Sequence, residues 1–300
     1  KMLENGYPKP FVIVLAASAA LLEALIPPSN AAILFSALTN VPVSKTFAAG
    51  VIPGLVLLIF MVLIVLIKCR NIRNPDPASA AERWQSFRGA LPGLITPMII
   101  LGGIYAGLLT PSESAAVAGV WAMIMGALIY KELTLKSLGQ ALKETATITT
   151  VIFAIIATAT FLSVILTYSQ IPQQIVSYFT NMGATFTLFW VALAIICLLL
   201  GTFVEIVPVF YLTVPIFAAI TLSFNQSLLH LYVVFVAFAG IGMITPPVCV
   251  GIYTSASVIR ENPAKAFREV PLFVGIGIIY GIVMILVPEA STWLPSLLNT

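Results

Sequence analysis

Seven stretches of this sequence run for a bilayer's thickness with at most one charge: 10–40, 47–67, 89–130, 145–168, 184–224, 228–258 and 271–287. A hydrocarbon core about 30 Å thick takes roughly 20 apolar residues as helix, so the two runs of about 40 residues must double back near their middles. Backbone in lipid has to satisfy its own hydrogen bonds, which makes these runs helical. None alternates with the period of two that a barrel strand shows. Only 8% of the 300 residues are charged and 60% are hydrophobic, against about 25% charged in ordinary globular chains. A water-soluble enzyme, a disordered chain and a nucleic-acid binder are thereby excluded. The three scattered cysteines, Cys69, Cys197 and Cys249, form neither a disulfide framework nor a metal cluster.

Helix breakers interrupt four runs. They are Ile26-Pro27-Pro28-Ser29-Asn30, the stretch from Gly107 to Pro111, the stretch from Gly201 and Thr202 through Glu205 to Pro208, and the stretch from Gly240 and Gly242 through Thr245 to Pro246-Pro247. Proline removes a donor and clashes with the preceding turn. Such irregular backbone survives at membrane depth only where protein buries it or it lines a wet cavity.

Charge sets the orientation. Thirteen of the fourteen Lys and Arg fall in four segments, 1–9, 68–88, 131–143 and 260–268, with Lys45 the exception. Counting crossings returns the chain to one side at each of these segments, whether 184–224 is a re-entrant hairpin or two full spans. The positive-inside rule makes that side cytoplasmic and leaves the C-terminus outside, in the periplasm if the membrane is a bacterial inner membrane.

An internal repeat is also legible. Pro27-Pro28, Pro42, Lys45, Phe47 and Pro53 precede one apolar helix; Pro246-Pro247, Pro263, Lys265, Phe267 and Pro271 lead into another. The crossing count gives the copies opposite orientations. Inverted repeats with broken helices mark secondary transporters, whose sites lie at the breaks. The expected architecture is an all-α polytopic membrane protein with an inverted-repeat, ion-transporter-like fold and a re-entrant hairpin. Its expected parts are 1–68, the first repeat half; 69–88, a cytoplasmic loop; 89–183, scaffold spans; and 184–300, the hairpin with the second half.

The motifs carry a family likeness. Met2-x-x-x-Gly6-Tyr7-Pro8, Ile26-Pro27-Pro28-Ser29, the run from Ala49 to Gly54, the run from Gly102 to Glu113, Ile171-Pro172-Gln173-Gln174, the run from Gly201 to Glu205 and Thr245-Pro246-Pro247 follow one another in the order of that family. The chain resembles the large membrane subunit of the TRAP (tripartite ATP-independent periplasmic) transporters. The resemblance implies a sodium-coupled importer of small organic acids of the C4-dicarboxylate, keto-acid or sialic-acid type. It further implies a periplasmic solute-binding protein and a small membrane subunit as partners, and an elevator movement of a transport domain against a scaffold. No cofactor is implied beyond Na⁺ as coupling ion. In the family an earlier hairpin with a Ser-Gly-Ser tip precedes the first break. With that hairpin lacking and no Met at position 1, the sequence reads as a fragment that lacks half of the transport site. Glu23 departs from the family pattern, which has small or apolar residues there. The alternative is another inverted-repeat Na⁺- or H⁺-coupled anion carrier that needs no binding protein. An intramembrane enzyme would need a paired His/Asp or Ser/Lys set, and the apolar runs contain none.

Glu23, Glu113 and Glu205 lie within apolar sequence, where a central carboxylate costs about 2.5–3.5 kcal/mol and is by default a functional candidate. Glu205, at the hairpin tip, is a candidate Na⁺ ligand together with Thr245; the competing role is a cap on the following half-helix. Pro27, Pro28, Ser29 and Asn30 at one break, and Gly242, Thr245, Pro246 and Pro247 at the other, are candidate substrate and ion contacts, with Gly201 and Thr202 at the tip. Glu113 follows Thr110-Pro111-Ser112 and reads as helix-start chemistry. His230 reads as a solvated or satisfied residue near the outer surface, and Trp121, Trp190 and Trp293 as interface anchors. Cysteines replacing Ser79 and Thr134 should react with an impermeant reagent only from the cytoplasm, and one replacing Ser291 only from outside. Labelling of the Ser79 position in intact cells would overturn the assignment.

Overall fold

The structure is a computed structural model and describes residues 2–72, 79–181 and 186–298. Its elements are α1 (Lys9–Leu25), α2 (Asn30–Thr39), α3 (Val43–Lys68), α4 (Ala80–Tyr105), α5 (Pro111–Ile124), α6 (Leu135–Tyr168), α7 (Ile171–Asn181), α8 (Phe186–Phe203), α9 (Ile206–Ser223), α10 (Leu228–Ile244), α11 (Val250–Ile259), α12 (Val270–Leu286) and α13 (Glu289–Ser296). A π turn, Met125–Ile129, extends α5, and a 3₁₀ turn, Pro263–Arg268, precedes α12. Among the described residues five helices are long and apolar enough to cross a membrane, and two bent pairs, α1 with α2 and α12 with α13, raise the number to as many as seven.

The chain forms two compact units, 1–73 with 159–300, and 74–158. In the smaller unit, α4 starts on a capping box. Ser79 Oγ accepts from the Glu82 amide, and Glu82 Oε2 accepts from the Ser79 amide at 2.7 Å. The segment expected to be a loop up to residue 88 is therefore helix from Ala80 onward. The 73–78 part of that loop lies outside the described residues. α5 starts on a second box, in which Glu113 Oε2 accepts from the Thr110 amide at 2.7 Å and from its hydroxyl at 2.8 Å. Glu113 is thus a structural cap, as its spacing implied.

The larger unit holds the repeat. α1 and α10 both have 17 residues, and α2 and α11 both have 10. Each broken pair ends on a residue in the left-handed conformation, Asn40 (φ 57°) and Arg260 (φ 54°). The Pro27-Pro28 and Pro246-Pro247 bonds are both cis. The copies run antiparallel. Lys9 at the start of α1 meets Glu261 beyond the end of α11 at 3.1 Å, Leu21 lies against Gly240, and Ala24 takes a hydrogen bond from Tyr232 near the start of α10. Lys68 at the end of α3 meets Glu269 at the start of α12 at 3.0 Å, while Phe60 and Tyr280 pack edge to face 6.3 Å apart.

One end of this unit therefore gathers Lys9, Lys68, Glu261, Lys265, Arg268 and Glu269. Glu261 accepts from Lys265 and Lys9, and those bonds with one from the Asn262 amide hold its carboxyl down to about 2. α13 lies at the opposite end, where Ser291 meets His230, near the start of α10. The structure thus places the C-terminal helix opposite the basic cluster, as the crossing count requires.

α10 is apolar all round, the pattern of a helix with no solvent face, and nearly all of it is buried. Aromatic rings from three helices close on it: Phe35 and Tyr232 at 5.3 Å, Phe210 and Phe235 at 4.6 Å, Trp190 and His230 at 4.7 Å. Trp190 is therefore core and not an interface anchor. His230 is not solvated either; its Nδ1 sits 3.0 Å from Ser291 Oγ, whose proton goes to the Pro288 carbonyl at 2.8 Å. That makes Nδ1 the donor. Trp293 is exposed, and the Trp121 indole donates to the Pro92 carbonyl at 3.1 Å. Because Ser291 is buried, exposed Ser296 is the better position for an outside label.

Glycines set how closely the helices approach. A Cβ on Gly50 would fall on the Leu25 carbonyl, whereas one on Gly275 meets nothing within 4 Å. Gly50→Ala forces backbone apart and should cost on the order of 1–3 kcal/mol, lowering the melting temperature of the purified protein. Gly275→Ala, in open space, should hold or raise it through helix propensity. Equal melting temperatures for the two variants would refute this packing.

Candidate functional site

Neither break is left to lipid, and the two are repaired differently. At the first, α1 stops at Leu25 and α2 restarts from the N-cap Ser29. Ser29 is fully buried. Its hydroxyl donates to the Ala24 carbonyl at 2.8 Å and accepts from the Ala32 amide at 3.3 Å. Tyr232, from α10, donates to the same Ala24 carbonyl. The carbonyl that the Pro27-Pro28 break deprives of its helical partner is thus doubly satisfied, as a buried backbone acceptor must be. Asn30, one residue on, is exposed.

At the second break, Thr245 closes α10, its amide donating to the Gly242 carbonyl at 2.8 Å and its hydroxyl to the Ile241 carbonyl at 2.8 Å. Pro246 and Pro247 are exposed. Cys249 turns the chain into α11 from the left-handed region (φ 47°) and gives that helix no side-chain cap. Gly251 brings the first turn of α11 against Ala17 of α1, where an added Cβ would meet the Ala17 Cβ at 3.4 Å.

The α8–α9 hairpin reaches this second break. Trp190 beside His230 and Gly201 beside Gly242 show that α8 runs parallel to α10. Phe189 and Phe224, 6.0 Å apart, mark the hairpin's base near the start of α10. A Cβ on Gly201 would fall on the Ala239 carbonyl; one on Gly242 would meet the Leu198 carbonyl oxygen at 2.5 Å and the Gly201 backbone at 2.8 Å. Only glycine permits this backbone contact. It sets Gly201 beside Ala239 and Gly242, with Thr202 next after Gly201 and Thr245 three residues after Gly242. Thr202 is buried and its hydroxyl donates to the Leu198 carbonyl at 2.8 Å. Both threonines thus spend their proton on their own helix, which leaves oxygen lone pairs for a hard cation or a donor.

Glu205 sits at the tip, between Phe203 and Ile206, as the N-cap residue of α9 by backbone position. Its side chain makes no cap hydrogen bond and is exposed. The carboxylate is uncommitted to the role that competed with ion binding.

The candidates therefore fall into two groups. Gly201, Thr202, Gly242, Thr245, Pro246 and Pro247 share one locus with Glu205 three residues beyond Thr202. Pro27, Pro28, Ser29 and Asn30 form another. Each break begins five residues past the Leu21–Gly240 contact, in opposite directions, which at 1.5 Å per residue puts them about 15 Å apart along antiparallel axes. Tyr232 is the site residue that sequence reasoning missed; nothing around it in the sequence marks a residue that repairs a break 200 positions earlier. Among the described residues no group of three or more His, Cys, Asp or Glu could hold a metal ion.

Comparison with known proteins places this architecture. The family described as the tripartite ATP-independent periplasmic transporter, DctM component, matches residues 1–290. The chain is 33% identical over 300 residues to the C4-dicarboxylate TRAP transporter large permease protein DctM of Pseudomonas aeruginosa, covering 99% of this chain and 70% of that protein. It is 29% identical to the sialic acid TRAP transporter large permease protein SiaM of Vibrio cholerae and 29% identical to the ectoine/5-hydroxyectoine TRAP transporter large permease protein UehC of Ruegeria pomeroyi, with the same coverages. A match along all but the last ten residues fixes the relationship: the chain belongs to the DctM family, the large membrane permeases of the TRAP transporters.

Proposed function

We propose that this chain is the sodium-coupled, moving part of a bacterial inner-membrane importer for small organic acids. A periplasmic binding protein delivers the substrate and a small membrane subunit completes the carrier. The observation that carries the reading is the meeting of the α8–α9 tip with the second break through Gly201 and Gly242. A cation there finds the Thr202 and Thr245 oxygens, backbone carbonyls of an interrupted helix and the nearby Glu205 carboxylate, all oxygen ligands of the kind a hard ion takes.

Depth supports the re-entrant reading. The hairpin's base lies at the end of the unit away from the basic cluster. Its tip stops at the end of α10, and the ten residues of α11 continue about 15 Å further toward the basic end. With α10 and α11 read together as one crossing, the break between them and a tip level with it fall inside that crossing. The division into two compact units supports an elevator movement, in which the larger unit carries the site and the smaller one is the scaffold. The names of the relatives span a C4-dicarboxylate, sialic acid and an ectoine. Small organic acids are the class these have in common.

The test is sodium-dependent uptake in proteoliposomes holding the full-length complex and its binding protein. Glu205→Gln and Thr245→Ala should each raise the half-saturating sodium concentration several-fold. Substrate affinity should fall mainly at low sodium, because coupling between two ligands is reciprocal. Since Glu205 makes no cap hydrogen bond, its replacement should leave stability within about 0.5 kcal/mol of wild type, the range of ordinary surface substitutions. An unchanged sodium midpoint in both variants would remove the ion from this locus.

A further inference from the structure

The start of α4, from Ala80 to Arg88, precedes the apolar run that opens at Gly89, yet its side chains continue the pattern of that run. The capping box at Ser79 makes this segment helix, so it keeps one register with the span. Trp84, Phe87, Leu91, Leu94 and Met98 recur at spacings of three and four, which puts them on one face. All five are exposed. The Trp84 and Phe87 rings stack, 5.7 Å apart at 25°. Arg83 and Arg88 are exposed as well, and at about 100° per residue they lie roughly 70° to either side of the centre of that face. The only acidic residue between 77 and 112 is Glu82, whose carboxylate is committed to the Ser79 amide.

The other sides of α4 have other work. Along one, α5 packs: the Trp121 indole donates to the Pro92 carbonyl, and a Cβ on Gly103 would meet the Leu109 side chain at 2.8 Å. Another presents Gly89 and Gly93, the small-x-x-x-small spacing through which membrane helices approach closely, and a Cβ on either would meet nothing within 4 Å. A further helix joining this pair has the glycine face to pack on. The Trp84–Met98 face is built of large side chains, which suit acyl chains.

An aromatic pair at the rim of an apolar run sits at headgroup depth. Arginine stems lie along apolar surface while their heads stay in water, and the guanidinium fork matches phosphate. The charge asymmetry of the sequence puts this end of α4 on the cytoplasmic side, where the leaflet carries anionic lipid. Arg88 and Met98 are separated by about 15 Å of helix, the depth of one leaflet in a core about 30 Å thick. We propose that this face of α4 binds an anionic phospholipid, its phosphate between Arg83 and Arg88 and an acyl chain along Leu91, Leu94 and Met98.

Thermal stability of the purified full-length membrane complex in detergent tests the site, with dioleoyl phosphatidylglycerol as the anionic probe and dioleoyl phosphatidylcholine as the zwitterionic one. Phosphatidylglycerol should stabilise wild type at a half-saturating concentration about tenfold below that of phosphatidylcholine, as two basic side chains at an anionic surface imply. Arg83→Gln with Arg88→Gln should remove most of that preference, and Arg83→Lys with Arg88→Lys should keep most of it. Because both side chains are exposed, all these proteins should melt together when no lipid is added. Inorganic phosphate, which lacks the chain, should not stabilise wild type. Brominated phosphatidylglycerol read by tryptophan fluorescence reports the contact directly: it should quench a share of the emission that Trp84→Phe removes. The site is overturned if the two lipids stabilise wild type alike, if the glutamine variant keeps the preference, or if inorganic phosphate serves as well as the lipid. It is overturned too if Trp84→Phe leaves the quenched share unchanged, the result expected were a protein helix covering this face.

Discussion

A helix interrupted inside an apolar run frees backbone groups that lipid cannot satisfy, and the larger unit is organised around resolving that twice. At the first break the Ala24 carbonyl receives the hydroxyls of Ser29 and Tyr232. Tyr232 reaches it only because α10 lies antiparallel against α1, and α10 lies there because Gly240 admits Leu21. The crossing of the two repeat halves and the repair of one break are thus a single arrangement. A side chain at position 240 would disturb both.

The second break is treated differently, and the contrast is where chemistry enters. Its restarting helix has no side-chain cap, and Cys249 stands where the first copy has a residue that caps. Its neighbour is a hairpin tip held by glycine contact in place of a tyrosine. The Gly201–Gly242 contact leaves room for no side chain between the backbones; Thr202 beside it is buried, and Glu205 at the tip is exposed. Two copies of one motif have therefore diverged, one with its restarting helix capped by a buried serine and one whose restarting helix has no side-chain cap.

What the sequence disclosed follows the range of the forces involved. Proline pairs, charge asymmetry and the Thr110-x-x-Glu113 spacing act locally or through the membrane normal, so the breaks, the crossing parity and the cap at Glu113 are legible from residue order alone. The repeat is legible for the same reason, since each copy carries its own breakers. Residues whose role depends on a distant partner are not. Trp190 and His230 lie near the ends of apolar runs, as interface residues do, yet each is buried by the other and by Ser291. The glycines at 201 and 242 read as candidate substrate and ion contacts, and what the structure gives them is backbone contact between α8 and α10. Glu205, by its spacing, suits a ligand and a cap equally; helix geometry decides that its side chain does not cap, which no spacing rule can do.

The ends of the larger unit show how it could carry a site without coming apart. At the basic end Lys9–Glu261 joins α1 to the segment after α11, and Lys68–Glu269 joins α3 to α12. Each pair links the first repeat half to the second. Glu261, held down to about 2, favours the folded state above the ordinary carboxylate value of 4.5 and loses that contribution only as pH falls through about 2. The links therefore persist at neutral pH. At the opposite end the His230–Ser291 bond ties α10 to α13. A body pinned at both ends and threaded by α10 has little freedom to rearrange its core, since packed interiors shift between discrete states and do not deform continuously. The hairpin tip and the second break are kept in register within that body by the Gly201–Gly242 contact.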